Sequence, residues 1–583
     1  MKKTLLTLLL LIAGLTAAPG LFAQDIDSLL GTMTRREKIA QIIIEVVESQ
    51  EPAEVRARHE AWVREGLGGL IVMDDGLVPC LQAINELQAK ARIPMIVSID
   101  GEWGAAMRFY EYAAFPRAMQ LGALDDEELV EEAGQEIGRQ LREIKIFVNY
   151  APVVDVNNNP GNPVINTRSF GEDPERVARL GAAYMRGMRQ AGVYGSAKHF
   201  PGHGDTDVDS HEGMPVLAFG RERLDSLELL PFRRLIAEGV EMVMVGHLSV
   251  PAIDPSGRPA SVSKPVITGL LREEMGFQGI IITDALGMHG VADSHSNAAM
   301  EAYKAGADIL LMPQDTQQTL DDLDAAFRRG DLDEAGLDAR ARKMLLLKQK
   351  TGMLEAGYTP FVDTVGLLAK AVRPEAESLI QRICDRSMTV IKGALRRPIR
   401  LHRLFSKRPR VAYVAYNAET PESDAFYQEL TQHGPVARFD LPGDATPQQI
   451  DSVSAIIRGY RKVIIGIHAG KPVPRSGGPK RFATIAPEQF ARLAAWSSRH
   501  QSESGQRRHR GHQLYGVYFG NPYDLNVLND FKRFETFIIA YSDTRFNNIA
   551  AARALNVPHS AQGRLPVAAG GLPAGWRSNA RRQ

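Results

Sequence analysis

Eight short apolar runs recur between residues 40 and 313, each ending in polar residues and separated from the next by a stretch of helical periodicity. They are Gln41–Val47, Gly69–Met73, Pro94–Asp100, Ile146–Val156, Val193–His199, Glu241–His247, Gly279–Asp284 and Ala307–Pro313. Runs this short and rich in Val and Ile read as parallel strands buried on both faces. Amphipathic segments such as Glu127–Leu141, Pro174–Gln190 and Arg223–Glu238 lie between them. Eight strand–helix units in about 300 residues predict an α/β fold of the TIM-type (β/α)8 barrel class. Asp100, Lys198, His199, His247 and Asp284 stand at the C-terminal ends of their runs. A barrel gathers such residues onto one face, however distant they are in sequence.

A break at Gly352–Val365 follows a basic helical stretch, Asp338–Lys350, and a helix-like segment, Pro374–Ser387, leads into a second set of runs. These are Arg410–Asn417, Val436–Leu441, Lys462–Gly470, Gly516–Leu525 and Thr536–Ser542, alternating with helical segments. That pattern predicts a smaller doubly wound α/β domain. The expected organisation is a signal peptide at 1–23, the barrel at 25–355, a linker with helices at 356–405 and the second α/β domain at 406–583. The second domain shows no glycine-rich phosphate loop, and Gly470–Phe482 lacks Walker spacing and reads as a surface loop. Ser497–Gln513 is polar and basic without apolar periodicity, as expected of a solvated insertion.

Formal net charge is +0, so no global field draws nucleic acid or an anionic membrane, and neither is expected as a partner. Lys2 and Lys3, the apolar run Leu5–Leu15 and the small residues before Gln24 have the layout of a secretory signal peptide. The run is short for a membrane span. The expectation is an exported, periplasmic or extracellular protein with no stable membrane insertion after cleavage. Cys80 and Cys384 are read as buried free thiols. Nothing in the sequence sets an oligomeric state.

The densest chemistry is KHFPGHGDTDVDSH, Lys198–His211, where Pro201, Gly202 and Gly204 force a loop just past a strand. Buried charges and imidazoles are costly unless paired, so a purely stabilising role for all of them is disfavoured. Asp284, capping its run, is a candidate nucleophile; its plain alternative is to cap the next helix. His211, two residues after Asp209, is a candidate proton donor, because an Asp-x-His step leaves one ring nitrogen free to give or take a proton. Glu102, beside Asp100, is the reserve acid. His199, His203, His211 and His247 with Asp205 or Asp209 could bind a divalent ion, but their spacing matches no compact metal signature, so no metal and no cofactor are expected.

MTRREKIAQ (33–41), NPVINTRSFGEDP (162–174), KHFPGHGDTDVDSH and PASVSKPVITGLLREEMGFQGIIITDALGM (259–288) resemble glycoside hydrolase family 3, in its bacterial β-N-acetylglucosaminidase branch. The resemblance is strong over about residues 28–350 and looser beyond. It implies that Asp284 forms a glycosyl-enzyme with retention, that His211 oriented by Asp209 is the acid/base, and that Asp100, Arg108, Arg168, Lys198 and His199 hold the non-reducing-end sugar. A carbohydrate substrate follows, with peptidoglycan fragments or chito-oligosaccharides as its source. A phosphorylase, a β-glucosidase of the same family and a non-enzymatic glycan-binding protein are the alternatives. The chain departs from the family pattern at DGEWGAAMR, where Trp103 replaces a glycine and Ala105 an arginine, and at Ala285, where a second aspartate is common. Trp103 could be an aromatic platform or could pack.

Overall fold

The computed structural model describes residues 25–73, 76–209, 213–292, 295, 297–393, 409–468, 485–495, 513–556 and 560–578. The segment read as a signal peptide, the loop Gly470–Phe482 and residues 497–512 of the basic stretch lie outside the described residues.

The barrel strands are β1 (Ile43–Val47), β2 (Gly69–Val72), β3 (Ile96–Ile99), β4 (Val148–Asn149), β5 (Tyr194–Phe200), β6 (Met242–Val245), β7 (Ile280–Thr283) and β8 (Leu310–Leu311). They run parallel in the order β7-β6-β5-β4-β3-β2-β1-β8, and a bridge between Ile282 and Ile309 returns the last to the first. The sheet is a nearly closed barrel. Strand alternation separates its layers. Ile44, Ile71, Ile96, Met244 and Ile282 cluster inside, whereas Ile43, Leu70, Val97, Val243 and Ile281 join the core under the helices.

The helices start where the sequence supplies caps. Asp126 accepts from the Leu129 N–H at the head of Glu127–Glu143, and Asp173 from the Arg176 N–H at the head of Pro174–Gln190. These two helices cross closely because Gly187 has no side chain; a Cβ there would stand 2.0 Å from the Glu131 carbonyl oxygen.

Within the barrel two expectations need correction. The run Ile146–Val156 is not one strand: β4 stops at Asn149, and Val153 pairs again with Lys198 only as an isolated bridge. Pro152 lies between them and has no N–H to offer a ladder. The segment Arg223–Glu238 is interrupted by a π-helical turn, Leu224–Glu228, before Leu230–Ala237, with Pro231 at the junction.

The second sheet joins, in spatial order, Val436–Leu441, Val411–Tyr416, Lys462–Ile467, Gln513–Tyr518, Thr536–Ile539 and Thr389–Lys392. Its parallel strands are β10 (Val411–Tyr416), β11 (Val436–Leu441), β12 (Lys462–Ile467), β13 (Gln513–Tyr518) and β14 (Thr536–Ile539). Alternate residues of β10 serve opposite cores, Tyr413 and Ala415 on one side and Ala412 and Val414 on the other, so helices cover both faces. A sixth strand, β9 (Thr389–Lys392), pairs antiparallel with β14 and lies inside the stretch read as linker and helices. The run Gly516–Leu525 also divides: β13 ends at Tyr518, and residues 522–526 form a tight 3₁₀ turn that Asn521 caps from its side chain. Pro522 again cannot extend a ladder. Cys80 and Cys384 are buried free thiols. Among the described residues no helix is long and apolar enough to cross a membrane.

Candidate active site

Asp100 directly follows β3, Lys198 and His199 are among the last three residues of β5, His247 stands two residues past β6, and Asp284 directly follows β7. All therefore meet at the C-terminal mouth of the barrel. Arg168 comes from the loop after β4, in a short turn, Asn166–Arg168, and Arg108 from the loop after β3.

These residues form one chain of charged contacts. Arg108 Nη2 donates to Asp100 Oδ2 at 3.2 Å, and Lys198 Nζ reaches Asp100 Oδ1 at 2.7 Å and Glu102 Oε1 at 3.0 Å. Arg168 grips Glu102 with two nitrogens, Nη2 to Oε1 at 2.7 Å and Nε to Oε2 at 3.0 Å. Its Nη2 also lies 3.4 Å from His199 Nε2. A guanidinium can only donate, so Nε2 is the acceptor and Nδ1 of His199 carries the hydrogen. That Nδ1 is 2.7 Å from Asp155 Oδ2.

Burial opposes the charges of Lys198, Glu102 and Asp284, and their neighbours outweigh it. Lys198 is only 2% exposed, yet Asp100 and Glu102 raise its pKa and keep it an ammonium. Glu102 is desolvated too, but Arg168 and Lys198 hold its carboxyl far below the usual range. This corrects the reading of Glu102 as a reserve acid: a group held ionised by two cations has no proton to give. Asp284 is held down to about 2; burial pushes upward, but His247, His199, the Ala285 N–H and Lys198 together pull it lower. Its Oδ1 accepts that N–H at 2.9 Å. A carboxylate that stays ionised through the neutral range is available as a nucleophile.

Two further residues support the site, Asp155, which the sequence did not single out, and His247, which it placed at a strand end. Asp155, fully buried, accepts the backbone N–H groups of His199 at 3.1 Å and His203 at 2.7 Å as well as the His199 ring. It fixes the start of the loop and the tautomer of His199. Its only sequence signal is an acidic residue inside an apolar run. His247 is a strand-end residue whose contacts explain it: Nε2 donates to the Ala285 carbonyl at 2.8 Å and Nδ1 meets Ser261 Oγ at 2.7 Å. It props the backbone next to Asp284.

His203 is desolvated, its pKa lowered to about 4, and its Nδ1 meets Thr206 Oγ1 at 2.7 Å. The ring is neutral in the physiological range. Among the described residues no group of three or more His, Cys, Asp or Glu side chains is arranged to hold a metal ion. Trp103 lies under the Arg117 guanidinium, 4.4 Å from the ring centroid, and packs on the barrel core. His211 lies outside the described residues. Asp209 is half-buried, and its backbone carbonyl accepts from the Gly213 N–H at 2.9 Å.

A family model, the glycosyl hydrolase family 3 N-terminal domain, matches residues 34–347. The chain is 36% identical over 338 residues to β-hexosaminidase A of Pseudoalteromonas piscicida, a match covering 52% of this chain and 56% of that protein. It is 34% identical over 330 residues to the β-hexosaminidase LpqI of Mycobacterium tuberculosis, covering 54% of this chain and 83% of that one. Among solved structures it resembles a family 3 β-N-acetylglucosaminidase from Paenibacillus at a TM-score of 0.73 and 30% identity, over 92% of this chain and 99% of that one.

Proposed function

Because the chain belongs to glycosyl hydrolase family 3, we propose that it is an exported, retaining β-N-acetylglucosaminidase that releases terminal N-acetylglucosamine from peptidoglycan fragments or chito-oligosaccharides. The observation that carries the reading is the strand-end carboxylate Asp284 at the same barrel mouth as the Asp100–Lys198–Glu102–Arg168–His199 cluster. Charge-assisted hydrogen bonds from that cluster orient hydroxyls and an acetamido group strongly, and Asp100 and Arg168 keep part of their surface open to do so.

The chemistry balances in two displacements. The Asp284 carboxylate attacks the anomeric carbon, the bond to the leaving oxygen breaks, and His211 gives that oxygen its proton. His211 then takes a proton from water, the hydroxide oxygen attacks the anomeric carbon, and Asp284 leaves as the free carboxylate. Asp209 orients the imidazole through both steps. Histidine suits this double duty because its ordinary pKa is near neutral.

Phosphate in place of water would make the same site a phosphorylase, and a neutral base would not repel that anion. Turnover of a nitrophenyl N-acetylglucosaminide with and without phosphate separates the two. Free sugar as the product in both conditions supports the hydrolase; a sugar phosphate overturns it.

A further inference from the structure

The loop that carries Arg168 is rich in asparagine, with Asn157, Asn158, Asn159, Asn162 and Asn166 in one stretch. Their amides reach the next loop. Asn158 Nδ2 donates to Asp205 Oδ2 at 3.0 Å and Asn159 Nδ2 to Asp207 Oδ1 at 2.7 Å. Asn162 Nδ2 donates to the carbonyls of His203 at 2.8 Å and Gly204 at 3.0 Å. The two loops touch so closely that a Cβ on Gly204 would stand 1.9 Å from the Val156 carbonyl oxygen. One loop thus presents Arg168 and also holds the stretch 203–207 that leads to Asp209.

Its opposite side rests on the second domain. Tyr523 Oη donates to the Asn157 carbonyl at 2.7 Å and accepts from Asn157 Nδ2 at 3.1 Å. Asn521 Nδ2 donates to Asn166 Oδ1, two residues before Arg168. The Glu172 N–H donates to the Pro566 carbonyl at 3.2 Å, and the Ala568 N–H to Glu172 Oε2 at 2.8 Å. Gly171 sits at φ 143°, and a Cβ there would stand 2.4 Å from the Pro566 oxygen. Asn157 and Tyr523 are buried, so neither can exchange these partners for water. Asn521 is itself fixed, because its Oδ1 caps the 522–526 turn.

We infer that Asn521 and Tyr523 of the second domain are positioning residues for the active site, bracing the asparagine-rich loop so that Arg168 and the stretch leading to Asp209 keep their places. The inference rests on the reading of Arg168 as a sugar-binding residue and deepens it: the second domain takes part in turnover without touching the sugar.

The test uses the full chain and the variants Asn521→Ala and Tyr523→Phe. The Phe ring keeps its packing on Met119 and Val567, so this variant removes the hydroxyl bonds alone. Arg386→Ala is the control: Arg386 pairs with Asp126 at 2.6 Å, away from the loop. KM for an aryl N-acetylglucosaminide should rise about tenfold in each test variant, the equivalent of one good hydrogen bond. The control should keep the wild-type KM. Hydrogen exchange read on the same proteins should quicken in segments 157–172 and 203–207 of both test variants, with the barrel strands unchanged. Unaltered exchange in those segments overturns the brace, as does wild-type KM with faster exchange. If the wild-type protein itself fails to cleave the glycoside, the proposed function falls, and the exchange measurement alone still decides the brace.

Discussion

Lys198 Nζ and Glu102 Oε1 meet at 3.0 Å with both side chains almost wholly buried. Arg168 takes the other side of the same carboxylate. The glutamate therefore holds two cations at the barrel mouth and cannot act as a proton donor. Glu102→Gln should lower kcat/KM by about a hundredfold, as expected if the two groups it holds, Lys198 and Arg168, bind the sugar as proposed. Breaking a buried ion pair from one side also costs about 3–5 kcal/mol, so the variant should unfold at a lower temperature. Equal loss on good and poor leaving groups is expected; a loss confined to poor ones would restore Glu102 as the acid.

Asp284→Ala should reduce turnover by several orders of magnitude, and because the fold holds this carboxyl below its usual range, the variant should also unfold at a somewhat lower temperature near neutral pH. With its pKa depressed to about 2, Asp284 stays charged across the working range. Any acid limb of the wild-type rate profile above about pH 4 must then belong to another group. Rate measurements on the variant, with a thermal scan on the same sample, check both statements.

His211→Ala should lose far more activity on an N-acetylglucosamine disaccharide than on a nitrophenyl glycoside, because a phenolate of low pKa leaves with little protonation. The limb of the pH profile near the histidine range should disappear with it. Asp209→Ala should show a milder form of the same pattern. Kinetics of both variants on both substrates decide the assignment, and equal losses would reduce His211 to a binding role.

Lys348 is completely buried beneath the barrel helices, with Nζ 2.8 Å from Gln41 Oε1. Desolvation lowers its pKa from 10.5 to about 7. Between those values the unfolded chain binds a proton that the folded chain does not, so stability from this group rises with pH through that window. At and below neutral pH the full penalty is present. Lys348→Met should therefore raise the unfolding midpoint by several degrees at about pH 6, with the gain shrinking toward about pH 10. Thermal scans of both proteins across that range test it; a pH-independent difference would mean that packing, not charge, dominates.

The barrel was legible because its signal is local. An apolar run every few tens of residues fixes strands, and a polar residue at the end of each places Asp100, Lys198, His199, His247 and Asp284 at one mouth. Caps such as Asp126 and Asp173 are likewise readable within a few residues. Pro152 and Pro522 marked the places where single strands had to break, and an apolar composition on both sides of each masked them. The strand β9 has no periodic neighbours and exists only because β14 offers it an edge.

By itself the sequence determined the layers, the strand ends and the residue types available for chemistry, since burial patterns and side-chain identity are properties of neighbouring positions. Only the tertiary structure decided which charges meet. Asp155 orients His199 across 44 positions, Arg168 reaches Glu102 across 66, and Asn521 touches Asn166 across 355. Whether Glu102 is an acid or a locked anion depends on those distances, because a carboxyl takes its proton affinity from the charges and solvent around it and not from its place in the chain.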